Sequence, residues 1–360
     1  MDHTWMHTAL ELARSTEGQT YPNPMVGAVI VKDGRIIGMG AHLRSGEAHA
    51  EVHALAMAGD KAEGASIYVT LEPCSHYGRT PPCAKQIIEA GIAKVVVAAS
   101  DPNPLVAGKG IQMMEEAGLE VVTGVGEEEA AYLNRKFFHF IKTGHPYVTA
   151  KSASSLDGKT ATATGESQWI TGKEAREDVH RERRRCDGIL AGIGTVLSDD
   201  PSLTARVPET GVTPARIVLD SELRMPESSR MLKDDAAPVY VLTNEPADAD
   251  KQRRLEKAGA EVVPVASGVK NISAVLDVLG EKKIVSLFVE GGAGVLGSFL
   301  EAEVIQEYLM YVAPIVIGGE KAPGVYQGSG ISTLQEARAF SLIKEETFGQ
   351  DRKYTLQAGE

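Results

Sequence analysis

The stretch HAEVHALAMAGDKAEGASIYVTLEPCSHYGRTPPCAKQIIEAG, residues 49–91, sets the architecture of the first part of the chain. A helix opens near His49 and runs through HALAMA, SIYVTL at 66–71 is a strand, and a second helix begins at Cys83 after Pro81-Pro82. Upstream, VGAVIVK (26–32) and RIIGMGA (35–41) flank Asp33-Gly34, a hairpin turn signal. Before them, Trp5, Ala9, Leu12 and Ala13 recur at helical spacing, with Gly18 as a stop. Downstream come a strand at 94–100, a helix over GIQMMEEAG and a strand at 119–125. Parallel strands need crossover helices, so this is an α/β layered domain opened by an antiparallel hairpin. EEEAAYLNRKFFHFIKTG, within 126–146, reads as one linker helix that closes the domain. The expected division is therefore 1–145 and 146–360. The second part repeats the alternation, with strands near 147–153, 188–191, 215–220, 238–243, 261–265, 284–290 and 308–317.

The same opening stretch carries chemistry. His49 offers an imidazole; Cys74 and Cys83, with eight residues between them, offer two thiolates. Three such ligands suit one tetrahedral zinc per chain and leave the fourth position for water. Glu51 stands two residues after the imidazole, placed to move protons without binding the metal. Residues i and i+2 diverge along a helix interior, so His49 and Glu51 converge only at a helix start. Cys83 also opens a helix, where the dipole favours its thiolate. A closed structural site would need a fourth ligand, for which His53 and His76 are available. Histidine, glutamate and a Pro-Cys…Cys pair in this order form the signature of zinc-dependent nucleobase deaminases.

Composition narrows the partners. The 360 residues are 43% hydrophobic and 24% charged, with 5% aromatics and 37 glycines. The net charge of −12 argues against a nucleic-acid substrate, which usually demands a basic footprint. Three cysteines make no disulfide framework, and two are wanted as ligands, which fits a reducing cytoplasm. Cys186 has no neighbouring cysteine and is expected to pack in a core. The N-terminus is too polar for a signal peptide, and no membrane segment is apparent.

TYPNPMVGAVIV, H-A-E-x-H-A and LEPCSHYGRTPPC resemble the deaminase half of the bifunctional deaminase/reductases of riboflavin biosynthesis. KSASSLDGKTAT, GESQWIT, GTVLSDDPSLTAR and VEGGAGVLGSFL resemble the reductase half, similar in fold to dihydrofolate reductase. The resemblance covers essentially the whole chain. It implies a cytidine-deaminase-like α/β/α domain followed by a dihydrofolate-reductase-like α/β domain. It also implies deamination of 2,5-diamino-6-ribosylamino-4(3H)-pyrimidinone 5′-phosphate, then reduction of its ribosyl side chain to ribityl with NADPH. By motif position, Asn23, His42, His76, Arg79, Asp101 and Asn103 would line the deaminase pocket. Ala153, Trp169, Thr195, Asp199 and Ser221 would surround the nicotinamide cofactor. Lys151, Ser167, Arg183, Leu203, Arg206 and Glu290 would surround the reductase substrate.

Gly292, Gly294 and Gly297 spell G-x-G-x-x-G after a strand. The acidic residue a Rossmann fingerprint expects at the end of the next strand is missing, so the segment reads as a dihydrofolate-reductase-like cofactor turn. Hydride addition at the sugar C1 of the ring-opened imine requires a proton on nitrogen. Lys151, Asp199 and Glu290 are the available groups, with Lys151 or Asp199 favoured. A tRNA-editing deaminase with an accessory domain is the alternative function, and a zinc-stabilised binding protein with vestigial machinery is a third. Assembly as a homo-oligomer is expected from the resemblance.

Overall fold

The computed structural model describes residues 1–77, 81–103, 107–207 and 213–359. The chain divides into two compact units, Met1–Gly144 and His145–Glu360.

The first unit runs α1 (Asp2–Arg14), β1 (Gly27–Lys32), β2 (Arg35–Ala41), α2 (Ala50–Ala58), β3 (Ser66–Leu71), α3 (Cys83–Glu89), β4 (Lys94–Ala99), α4 (Lys109–Glu116), β5 (Glu120–Thr123), α5 (Glu127–Leu133) and α6 (Arg135–Thr143). Its sheet has the order β2-β1-β3-β4-β5. β1 is antiparallel to both β2 and β3, whereas β3, β4 and β5 are parallel. The hairpin turns at Asp33 and Gly34, both with positive φ. α1 and α5 cover one face of the sheet and α2 the other, where α3 and α4 follow it. α2 lies close because β2 presents glycine: a Cβ on Gly40 would come 2.2 Å from the Ala50 carbonyl oxygen.

Two expectations are corrected here. The buried face of α1 is Met6, Ala9, Leu10 and Ala13, while Trp5 and Leu12 pack only at its margin. The single linker helix is two, broken at Asn134. That buried amide accepts from the Met25 N–H (2.8 Å) and donates to the Met25 carbonyl (2.9 Å), drawing the chain out of helical geometry.

The second unit contains β6 (Tyr147–Ser155), α7 (Lys173–Arg184), β7 (Gly188–Gly192), α8 (Ile193–Asp199), β8 (Ala215–Leu219), β9 (Val239–Asn244), α9 (Ala249–Lys257), β10 (Glu261–Val265), α10 (Ile272–Glu281), β11 (Ser286–Val289), α11 (Ala293–Glu301), β12 (Glu307–Ala313), β13 (Phe340–Phe348) and β14 (Asp351–Ala358). Its sheet has the order β10-β9-β8-β7-β11-β6-β12-β14-β13. The strands are parallel from β10 through β12, and β14 and β13 close the edge as an antiparallel hairpin. Side chains alternate between the two faces of the sheet, and β7, β8 and β11 are buried on both. Ile189, Ala191, Val218 and Val241 face α7, α8 and α9, whereas Leu190, Ile217, Leu219 and Leu242 face α10 and α11. Cys186 is buried in the first of these layers.

The C-terminal hairpin holds α7. Lys353 on β14 is 3% exposed and donates to Asp178 (2.8 Å) and Glu182 (2.6 Å) of the helix. Tyr311 donates to the same Asp178 carboxylate at 2.7 Å. Asp351 accepts from the N–H of Gly172, the residue that caps the helix, at 2.7 Å.

Candidate active sites

His49 is the N-cap of α2, with ψ 164°, so its ring leaves the helix end in an extended direction. Glu51, in the first turn, therefore shares a side with it. Cys83 is the first residue of α3, and Cys74 follows β3. One ligand atom from each of His49, Cys74 and Cys83 falls within 4.8 Å of the other two. His49 Nδ1 lies 3.2 Å from Cys83 Sγ and 3.7 Å from Cys74 Sγ. Tetrahedral zinc bonds to sulfur and nitrogen put ligand atoms roughly 3.5–3.8 Å apart, so the cluster fits that ion. Among the described residues neither His53 nor His76 joins the cluster, so the fourth ligand of a closed site is lacking.

Electrostatics favour the thiolate at Cys74 but not, contrary to the expectation from its helix start, at Cys83. Hydrogen bonds from Cys83 and from His49 pull Cys74 down to about 4, whereas the Cys74 sulfur and burial push the Cys83 thiol up. Glu51 is 3% exposed, burial raises its carboxyl, and its Oε2 has no partner within the protein. A buried carboxylate oxygen facing no protein donor beside a set of three ligands is suited to a reacting water.

His42 is buried beside this cluster, its ring edge-on to His49 at 5.4 Å. Its Nδ1 donates to the Ala48 carbonyl (3.1 Å), which leaves Nε2 to accept from the Asn23 amide at 3.1 Å. Burial lowers the His42 pKa, consistent with a neutral ring. Asp101 accepts from the Asn103 N–H at 2.8 Å. Burial raises its carboxyl, and the charges of Glu72, His76 and Cys74 act on it, which sets the group beside the cluster. Arg79 lies outside the described residues.

Glu72 is a residue that motif reading missed. It is 4% exposed, and its carboxylate accepts from four backbone N–H groups: Asp101 (3.4 Å), Gly108 (3.0 Å), Gly110 (3.0 Å) and Ile111 (3.4 Å). It thereby ties the segment before Cys74 to the Asp101 loop and to the start of α4. Its place between Leu71 and Pro73-Cys74 was the available signal.

In the second unit, a cavity of about 260 Å³ opens where β6 and β11 end. Lys151, Ala153, Thr195, Asp199, Glu290 and Gly292 all line it. The sheet order explains the convergence: β11 lies between β7 and β6, so Glu290, just past β11, meets Lys151 from the adjacent strand. Lys151 keeps part of its surface open to the cavity. Even so, burial lowers its pKa, as does the Arg183 charge, while Glu290 opposes the shift. Asp199 is exposed at the rim and accepts from Ser198 Oγ at 2.8 Å.

Arg183 meets Glu290 through Nη2 at 2.8 Å and donates from Nη1 to the Thr204 carbonyl at 3.0 Å. Only its Nε is without a partner. Leu203 is buried and Arg206 exposed on the segment these contacts reach.

Other expected residues fall outside the cavity lining. Ser167 and Trp169 sit on an exposed loop, where the Arg176 guanidinium stacks 4.4 Å from the indole. Ser221 follows the end of β8, two residues beyond Leu219. Of the glycines, Gly292 caps α11 and Gly294 lies in its first turn. Gly297 is required for packing, because a Cβ there would come 1.7 Å from the Gln327 carbonyl oxygen.

A ligand cluster for zinc with a buried glutamate on an α/β/α layer, followed by a parallel-sheet unit with a lysine–glutamate cavity, defines a class: a zinc-dependent hydrolytic deaminase joined to a reductase. The family profile described as cytidine and deoxycytidylate deaminase zinc-binding region matches residues 1–99, and that described as RibD C-terminal domain matches residues 146–354. The chain is 51% identical over 355 residues to the riboflavin biosynthesis protein RibD of Bacillus amyloliquefaciens, covering 99% of this chain and 96% of that one. It is 41% identical over 362 residues to RibD of Escherichia coli strain K12, covering 97% of each. Among solved structures it is similar to Acinetobacter baumannii RibD, form 1, with a TM-score of 0.92, 40% identity and coverage of 100% of this chain and 99% of that one. It is also similar to the diaminohydroxyphosphoribosylaminopyrimidine deaminase/5-amino-6-(5-phosphoribosylamino)uracil reductase of Thermotoga maritima, with a TM-score of 0.88, 35% identity and coverage of 100% and 99%. The chain belongs to the RibD family, the bifunctional deaminase/reductases of riboflavin biosynthesis. The tRNA-editing alternative finds no support in these relatives.

Proposed function

We propose that the chain deaminates 2,5-diamino-6-ribosylamino-4(3H)-pyrimidinone 5′-phosphate within residues 1–145 and reduces the product within residues 146–360. The final product is then 5-amino-6-ribitylamino-2,4(1H,3H)-pyrimidinedione 5′-phosphate. The observation that carries the reading is the His49–Cys74–Cys83 cluster with the unpartnered Glu51 oxygen beside it.

In the first reaction His49, Cys74 and Cys83 hold zinc, which when bound makes water a usable nucleophile near neutral pH. Glu51 takes one proton from the water and passes it to the ring nitrogen, then takes the remaining proton of the added hydroxyl and delivers it to the amino group, which leaves as ammonia. Burial raises its carboxyl above the usual carboxylate range, the direction a proton-transferring glutamate needs. Asn23, His42, His76, Asp101 and Asn103 bind the pyrimidine. Arg79 is assigned to the phosphate, where a guanidinium offers bidentate recognition.

In the second reaction bound NADPH supplies hydride to the sugar C1. Lys151 delivers the proton to nitrogen, so that one hydride and one proton account for the reduction. Its place beside Glu290 and its lowered pKa favour it over the exposed Asp199, which we assign to the cofactor with Ala153, Thr195 and the Gly292 turn. Trp169 and Ser221 border the same cofactor. Glu290, Ser167 and Leu203 position the substrate, and Arg206 is the cation for its phosphate, with Arg183 behind it.

Among the described residues no helix is long and apolar enough to cross a membrane. Free cysteines needed as ligands suit the cytoplasm. Exposed apolar side chains at Ile331, Leu334, Leu342 and Ile343 support a homo-oligomer joined through the second unit. Supplying the diaminopyrimidine phosphate and NADPH tests the reading: ammonia release followed by NADPH oxidation is expected, and release of ammonia from tRNA but not from the free nucleotide would refute it.

A further inference from the structure

Helix α7 carries a histidine that no motif singles out. His180 Nδ1 lies 3.3 Å from the backbone nitrogen of Arg206, 3.2 Å from Arg183 Nη1 and 3.2 Å from the Thr204 carbonyl oxygen. These three contacts decide the tautomer. The Arg206 N–H and the Arg183 Nη1–H are donors and need an acceptor, whereas the Thr204 oxygen already receives Arg183 Nη1 at 3.0 Å. With the proton on Nε2, the single Nδ1 lone pair accepts from the Arg206 N–H, while Arg183 Nη1 keeps the Thr204 carbonyl. Burial, then the charges of Arg183 and Arg206, hold the His180 pKa down to about 4, so the ring is neutral at pH 7.

The segment so gripped needs holding. Leu203 is buried with φ +46°, left-handed backbone that is costly for a side chain with a Cβ. Such a conformation persists when surrounding contacts over-determine it. Here α7 supplies two of those contacts: Arg183 to the Thr204 carbonyl and His180 to the Arg206 N–H. Arg183 has little else to give, since Nη2 is bound by Glu290. The Arg206 residue, by contrast, is exposed.

We propose that His180 is a positioning residue: together with Arg183 it latches Leu203–Arg206 onto α7 and so fixes Arg206 as the cation that receives the phosphate of the reductase substrate. The inference rests on the reading of Arg206 as phosphate ligand.

The test is steady-state kinetics of the full-length enzyme with NADPH and the deaminated substrate, compared with the same compound lacking its phosphate. For the wild type, loss of the phosphate raises KM about tenfold or more. His180→Ala raises KM for the phosphorylated compound about tenfold, the scale of one hydrogen bond. It leaves kcat, KM for NADPH, KM for the dephosphorylated compound and ammonia release within about twofold. His180→Asn sets an amide oxygen near the former Nδ1 and restores KM to within about threefold. A wild-type KM in His180→Ala, equal losses on both compounds, or no rescue by asparagine overturns the latch and leaves the Arg206 assignment standing. A wild type indifferent to the phosphate overturns the Arg206 assignment and the latch together.

Discussion

Glu51 occupies the position where a carboxylate is hardest to keep ionised: buried, beside two cysteine sulfurs, with one oxygen facing no protein donor. Those features disfavour a structural role and suit a group that exchanges protons with a reacting molecule. Glu51→Gln keeps the size and removes the proton acceptor. Ammonia release is expected to fall by about 10²–10⁴-fold, with zinc content by elemental analysis unchanged and NADPH oxidation on the deaminated substrate intact. Lys151 is the group proposed for the corresponding role in the second unit. A proton donor there would work in its ammonium form, and the Lys151 pKa lies below the ordinary lysine range. The reductase rate should therefore fall as pH rises through that lowered value. Lys151→Gln should cost about 10²–10⁴-fold in NADPH oxidation and erase this alkaline limb while deamination continues. A Lys151→Gln enzyme with the wild-type pH profile would give the proton to another group.

At the level of elements, the sequence was most legible where local signals and burial agree. Asp33-Gly34 marked a hairpin whose turn has positive φ at both residues, and SIYVTL is β3 at the expected bounds. The deaminase cluster was legible for the same reason, because its ligands sit at helix starts and after one strand within a short span. The C-terminal hairpin was not legible, because FSLIKEETF and DRKYTLQA mix charged residues with apolar ones and show no continuous apolar run. In the fold the hairpin joins the sheet through its backbone, and Lys353 is buried against Asp178 and Glu182. The helix break at Asn134 was hidden too, since the partner of its amide is Met25, far back in the chain. Likewise the reductase cavity gathers residues from β6, α8 and the end of β11, which only family resemblance had grouped. The buried lysine gives a direct check. Lys353→Met removes the buried ammonium that Asp178 and Glu182 share, a loss of about 3–5 kcal/mol. That corresponds to a fall of roughly 6–20 °C in the melting temperature of the reductase transition. A calorimetric shift below about 2 °C would show that the network contributes little.

On the scale of the whole molecule, the chain folds as two units of different topology. Each unit has its own core and its own cluster of reactive groups. The net charge of −12 accords with a small substrate held by local contacts rather than with a nucleic-acid surface. Metal dependence should accordingly divide the two activities. The most direct measurement is to strip the full-length protein with a chelator, verify metal content by elemental analysis, and assay both reactions before and after restoring zinc. Ammonia release should vanish on stripping and return with about one zinc per chain, while NADPH oxidation on the deaminated substrate continues throughout. Full ammonia release from verified metal-free protein would contradict the assignment of His49, Cys74 and Cys83 as ligands of a catalytic ion.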